Sequence, residues 1–92
     1  MVSLDEELKA AKAAKAAIEA LLKTTTRKSE VLATLSEARS AAVLNLSSGG
    51  TLNEARGNVG IALSSVLHSR PTQEKIDKTK AAINAWIKEL EA

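Results

Sequence analysis

The sequence predicts an all-α fold in one domain, residues 1–92, arranged as an antiparallel up-down four-helix bundle or as two helical hairpins that complete their core by oligomerisation. Three observations predict it. Apolar residues recur at three- and four-residue spacing through four segments, the signature of one buried helical face. The segments are separated by breaks with recognisable turn chemistry, TTT at 24–26, SSGG at 47–50 and HSRPTQE at 68–74. The links are short, about three to five residues, and short links favour antiparallel neighbours.

The helices are predicted over about 3–23, 27–47, 52–68 and 72–91, each roughly 25–30 Å long at 1.5 Å per residue. SLDE opens the first as a capping box, with Ser3 accepting from the third backbone N–H and Glu6 reaching back. Leu4, Leu8, Ala11, Ala14, Ile18, Leu21 and Leu22 form its stripe. Thr26 is placed to cap the second helix, whose inner face is Val31, Leu32, Leu35, Ala38, Ala42, Val43 and Leu46. Gly49 and Gly50 break that helix, since glycine readily adopts the left-handed geometry of a helix end. TLNE at 51–54 reads as a second capping box with Thr51 as the cap, ahead of Leu52, Ala55, Val59, Ala62, Leu63, Val66 and Leu67. Pro71 disfavours helical geometry at Arg70, and Thr72 caps a last helix carrying Ile76, Ile83, Trp86, Ile87 and Leu90, with Trp86 expected at the core edge.

Composition sets the energetic problem. Seventeen of the 92 residues are alanine, and there is no Phe or Tyr, so each helix has little apolar area to bury. At about 25 cal/mol per Å² an alanine-lined core supplies less than a leucine-lined one, and association with other copies is a natural remedy. The absence of cysteine removes disulfides, thiolate chemistry and Cys-based zinc sites. No run approaches the ~18 apolar residues of a membrane span, and no signal-peptide pattern is present, so a cytoplasmic protein is expected. The net charge of +2 is too small to imply a polyanion partner, and a single tryptophan gives base stacking little support, so nucleic acid is not expected.

An internal echo raises the question of a site. TLSEARSAAVLNLSS, 34–48, and TLNEARGNVGIALSS, 51–65, agree at eight of fifteen positions. The glycines between them put the copies on separate helices, and Thr51 precedes its helix whereas Thr34 lies inside one. The same letters therefore have different local roles. The echo does single out Leu44 and Ile61, which occupy equivalent positions and point about 180–200° away from their stripes. Around Ile61 the back face is small, with Gly57, Gly60 and Ser64. Glycine costs about 1 kcal/mol relative to alanine inside a helix, so two of them ask for a packing explanation. These residues are a candidate oligomer interface, and close approach there would bury helix 3 on both faces.

Catalysis finds no constellation. His68 is the single histidine, at a helix end, with no nucleophile motif around it. One histidine and no cysteine make no metal site, and no cofactor is implied. Glu37 and Glu54 recur in the echo but read as surface and capping carboxylates. Two anion sites are conceivable. One is a basic pole of Lys23, Arg27, Lys28, His68 and Arg70, with Lys75 nearby. The other is the Ser48, Gly49, Gly50, Thr51 loop at a helix N-terminus, near Arg56. The function expected first is a non-catalytic interaction or adaptor module that self-associates. The alternative is an oligomer that sequesters a small phosphorylated, nucleotide-like ligand through either of those sites.

Overall fold

The structure is a computed structural model that describes residues 2–21, 28–47 and 49–92, with Lys28 described by its backbone alone. Among the described residues it contains four helices and no strand: α1 (Leu4–Ala20), α2 (Lys28–Leu44), α3 (Thr51–His68) and α4 (Gln73–Glu91). α1 packs on α2 and α4, and α3 packs on the same two, so the helix backbones form a closed ring of neighbours. The molecule measures 38 × 22 × 21 Å. A 17–19-residue helix is about 26–28 Å long, so the helices run along the long axis.

Where the caps act as the sequence predicts, helix starts follow. Ser3 Oγ accepts from the Glu6 N–H at 3.1 Å, and Thr72 Oγ1 accepts from the Lys75 N–H at 3.2 Å. The expected Thr26 cap lies outside the described residues. Thr51 is different. It is the first residue of α3 rather than its cap, and Gly50, at φ 95°, holds the cap position without a side chain to offer. The positive φ of Gly49 (81°) and Gly50 (95°) turns the chain into the helix one residue earlier than a Thr51 cap requires. The Thr51 hydroxyl instead donates to Glu89 Oε2 on α4 at 3.0 Å.

α2 ends at Leu44, three residues short of the predicted 47. Its last turn tightens, with the Leu46 N–H donating to the Val43 carbonyl, while the Asn45 side chain turns inward. The Ser47 N–H is then taken by Asn53 Oδ1 at 2.7 Å.

One core holds all four helices. It contains Ala11, Ala14, Ile18 and Leu21; Val31, Leu35, Ala38 and Ala42; Ala55, Val59, Leu63 and Val66; and Ile76, Ile83, Trp86 and Ile87. Leu4, Val43 and Leu46, expected on inner faces, are exposed. Leu4 is the first residue of its helix, and Leu46 lies beyond the end of α2. Trp86 is fully buried rather than at the core edge. Thr79 is also buried, on the inward stripe of α4 between Ile76 and Ile83, and its hydroxyl donates back to the Lys75 carbonyl at 2.7 Å.

These caps make a paired prediction. Thr72→Ala removes a helix cap and should cost about 1 kcal/mol in urea unfolding. Thr51→Ala removes only an exposed hydroxyl contact and should cost less than about 0.5 kcal/mol. Equal losses at the two positions would contradict the cap assignment.

Candidate functional site

Two features stand out: a buried charge cluster, and a helix face left uncovered. The first centres on Glu7. This carboxylate sits in the first turn of α1, where negative charge suits the helix dipole, but it points into the core and is fully buried. Each oxygen accepts twice. Oε1 takes hydrogen bonds from Asn45 Nδ2 at 2.7 Å and Arg56 Nη2 at 2.8 Å. Oε2 takes them from Arg56 Nε at 2.8 Å and Trp86 Nε1 at 2.7 Å. The Arg56–Glu7 pair is bidentate, the strongest geometry for these groups. Arg56 Nη1 completes the set on the Asn45 carbonyl at 3.0 Å.

Asn45 extends the network to the beginning of the chain. Its amide Nδ2 also donates to the Val2 carbonyl at 3.0 Å, and its Oδ1 accepts from the Val2 N–H at 3.1 Å. Glu7, Asn45, Arg56 and Trp86 thus bring together the start of α1, the end of α2, the start of α3 and the end of α4. Among the described residues no buried side-chain polar atom lacks a partner.

The sequence reading missed Glu7 and Asn45 and gave Arg56 to a ligand. The signal was present: Glu7 stands four residues before Ala11 and eleven before Ile18, within the apolar stripe near its start. Asn45 likewise continues the spacing of Ala38 and Ala42. Each guanidinium nitrogen of Arg56, expected near an anion loop, donates inside the protein, to Glu7 or to the Asn45 carbonyl. Gly49 and Gly50 are exposed, and Ser48 lies outside the described residues. Glu89, hydrogen-bonded to Thr51, puts a carboxylate against the first turn of α3, so an incoming anion there would meet like charge.

At the expected basic pole, His68 and Arg70 are exposed. Lys75 Nζ is turned onto Ser69 Oγ at 2.8 Å and toward the Arg70 carbonyl at 3.4 Å, closing the α3–α4 link. Lys23, Arg27 and the side chain of Lys28 lie outside the described residues. No cluster of metal-ligating side chains occurs among the described residues. No helix there is long and apolar enough to cross a membrane.

The second feature is the outer face of α3. Ile61 is 74% exposed at its midpoint and stands between two grooves. One, about 640 Å³, runs between α3 and α4 beside Ala62, Ser65, Thr79 and Ala82. The other, about 430 Å³, runs between α2 and α3 along Val43, Leu46, Gly57 and Gly60. Arg39 closes one end of this second groove: its Nε donates to Ser64 Oγ at 2.7 Å, and Ser64 Oγ donates to the Gly60 carbonyl. A Cβ on Gly60 would meet Val43 Cγ2 at 3.4 Å, an ordinary contact, and one on Gly57 would meet nothing within 4 Å. Among the described residues α3 is therefore buried on one face only, and Gly57 has no packing reason there. Leu44 is exposed at 59% but does not line either groove.

Burial pushes the Glu7 carboxyl up, but the hydrogen bonds from Arg56, Asn45 and Trp86 and the Arg56 charge outweigh it and hold the group below its ordinary 4.5. Its contribution to stability is thus fully present above about pH 4.5 and is lost as the pH falls through the depressed value. Glu7→Gln keeps the shape but removes the charge and turns a donor toward donors; it should cost about 3 kcal/mol in urea unfolding followed by Trp86 fluorescence, and it should flatten the acid limb of stability against pH. A loss below about 0.5 kcal/mol, or an unchanged acid limb, would contradict the network's role.

No protein-family model matches the chain, and no curated protein or solved structure shows significant similarity to it.

Proposed function

We propose that this protein is a non-catalytic helical interaction module, an antiparallel up-down bundle that self-associates through the outer face of α3 and the adjoining edge of α2. The observation that carries this reading is Ile61, a β-branched side chain 74% exposed where two grooves meet. Val43 and Leu46, also exposed, line one of those grooves and extend the apolar surface from α3 onto α2. Single exposed apolar residues are common on protein surfaces, but here three line one furrow. Gly57 adds to this. It sits inside a helix at a cost of about 1 kcal/mol relative to alanine, with nothing among the described residues close enough to require it. Closeness to a surface outside the chain would account for it. The exposed single histidine at the end of α3 and the fully paired Glu7 fit a binding role better than acid–base chemistry.

Sedimentation tests this. The native protein should form a concentration-dependent oligomer between micromolar and millimolar concentration. Ile61→Glu should shift it to monomer while leaving helicity intact and monomer stability within about 0.5 kcal/mol, because Ile61 contributes little to the intramolecular core. A native protein that sediments as a monomer at millimolar concentration would defeat the proposal.

A further inference from the structure

We infer that self-association pairs α3 of one copy with α3 of a second copy, antiparallel about a two-fold axis through Ile61, with the register set by Glu54 and His68. The inference rests on the self-association reading above and specifies its geometry. In an antiparallel two-fold pair, a residue a given number of positions before the central one faces the residue the same number after it in the other copy. Glu54 lies seven residues before Ile61, and His68 lies seven after it. Seven residues are about two turns, so all three stand on one outward stripe of α3, and all three are exposed.

The pairing therefore sets each Glu54 against the His68 of the other copy, twice per dimer. Neither side chain has a hydrogen bond or ion pair among the described residues, and an imidazole N–H can donate to a carboxylate. Sizes match as well as donor and acceptor. Gly57, four residues before the centre, meets Ser65, four after it, so small residues face each other and the helices can approach closely. The antiparallel arrangement also brings the positive end of each helix dipole beside the negative end of the other. At the centre, each Ile61 can lean into a groove flanking the other.

The area available predicts a weak dimer. An 18-residue helix is about 27 Å long and about 10 Å wide, so its outer face offers on the order of 300 Å². A standard interface uses about 800 Å² per partner. The groove walls from α2 and α4 must share the contact, and the expected dissociation constant is micromolar or weaker.

The native chain contains no cysteine, which makes the register directly testable. Ile61→Cys should yield a disulfide-linked dimer readily under mild oxidation, and Leu44→Cys should not. Glu54→Lys should weaken the dimer about tenfold, as expected for losing two carboxylate–imidazole hydrogen bonds. The swap Glu54→Lys with His68→Glu should bring the dissociation constant back to within about threefold of native, with helicity unchanged in every variant. A native dimer whose affinity ignores Glu54→Lys, or which cross-links through Leu44→Cys faster than through Ile61→Cys, would overturn this register while leaving self-association standing. A native monomer at millimolar concentration would overturn both.

Discussion

A single buried carboxylate organises this protein. Glu7 accepts four hydrogen bonds, and the groups that supply them come from the end of α2, the start of α3 and the end of α4. Taking a charge out of water is expensive, and the attraction to Arg56 offsets that cost only because every remaining donor and acceptor is matched. The constraint is therefore geometric. If any helix slides by one turn, about 5.4 Å, Glu7 loses a donor and a buried charge is left short of partners. An alanine-rich core cannot impose that discipline by shape, since Ala11, Ala14, Ala38, Ala42 and Ala55 have few distinguishing contours. The polar cluster supplies register, and the apolar residues along the remaining length supply the bulk of the driving force.

Fixing the register has a consequence for the surface. α3 is gripped through Arg56 near its start, through Arg39 to Ser64 in its second half, and by core residues along its inner face. Its outer face is left uncovered among the described residues, with Ile61 at the midpoint. A helix already held in place would lose little conformational freedom on binding, which would help a small contact area give usable affinity. The echo in the sequence illustrates how the same residue type is put to different use. Arg56 is folded inward onto Glu7, whereas Arg39, its counterpart, spans the surface groove to Ser64.

Much of the fold was legible because helix punctuation is local. Ser3 and Thr72 act through backbone N–H groups three residues away, and the apolar stripes survive almost intact in the core. Thr51 misled because a cap motif and a first-turn residue share the same letters; the two glycines before it decided which geometry the chain adopts. The centre of the structure was hidden for a different reason. Glu7 and Arg56 lie 49 residues apart, so their pairing depends on which helices become neighbours. A glutamate within an apolar stripe near a helix start looks like a dipole-stabilising residue until a partner is found for it. The outer face of α3 was legible as an anomaly, through Ile61 and two glycines, although only the structure separates Gly60, where a Cβ would meet Val43, from Gly57, where a Cβ would meet nothing within 4 Å among the described residues.

Hydrogen exchange at the indole N–H of Trp86, the single tryptophan and so a single resonance, tests whether the Glu7 cluster holds the four helices in register. This proton is donated to Glu7 Oε2 inside the cluster. If the network holds the four helices together, it can exchange only when the whole structure opens, and its exchange free energy should equal the global unfolding free energy and fall with denaturant at the same slope. Exchange through a local opening, fast and independent of denaturant while the helices remain intact, would contradict the account.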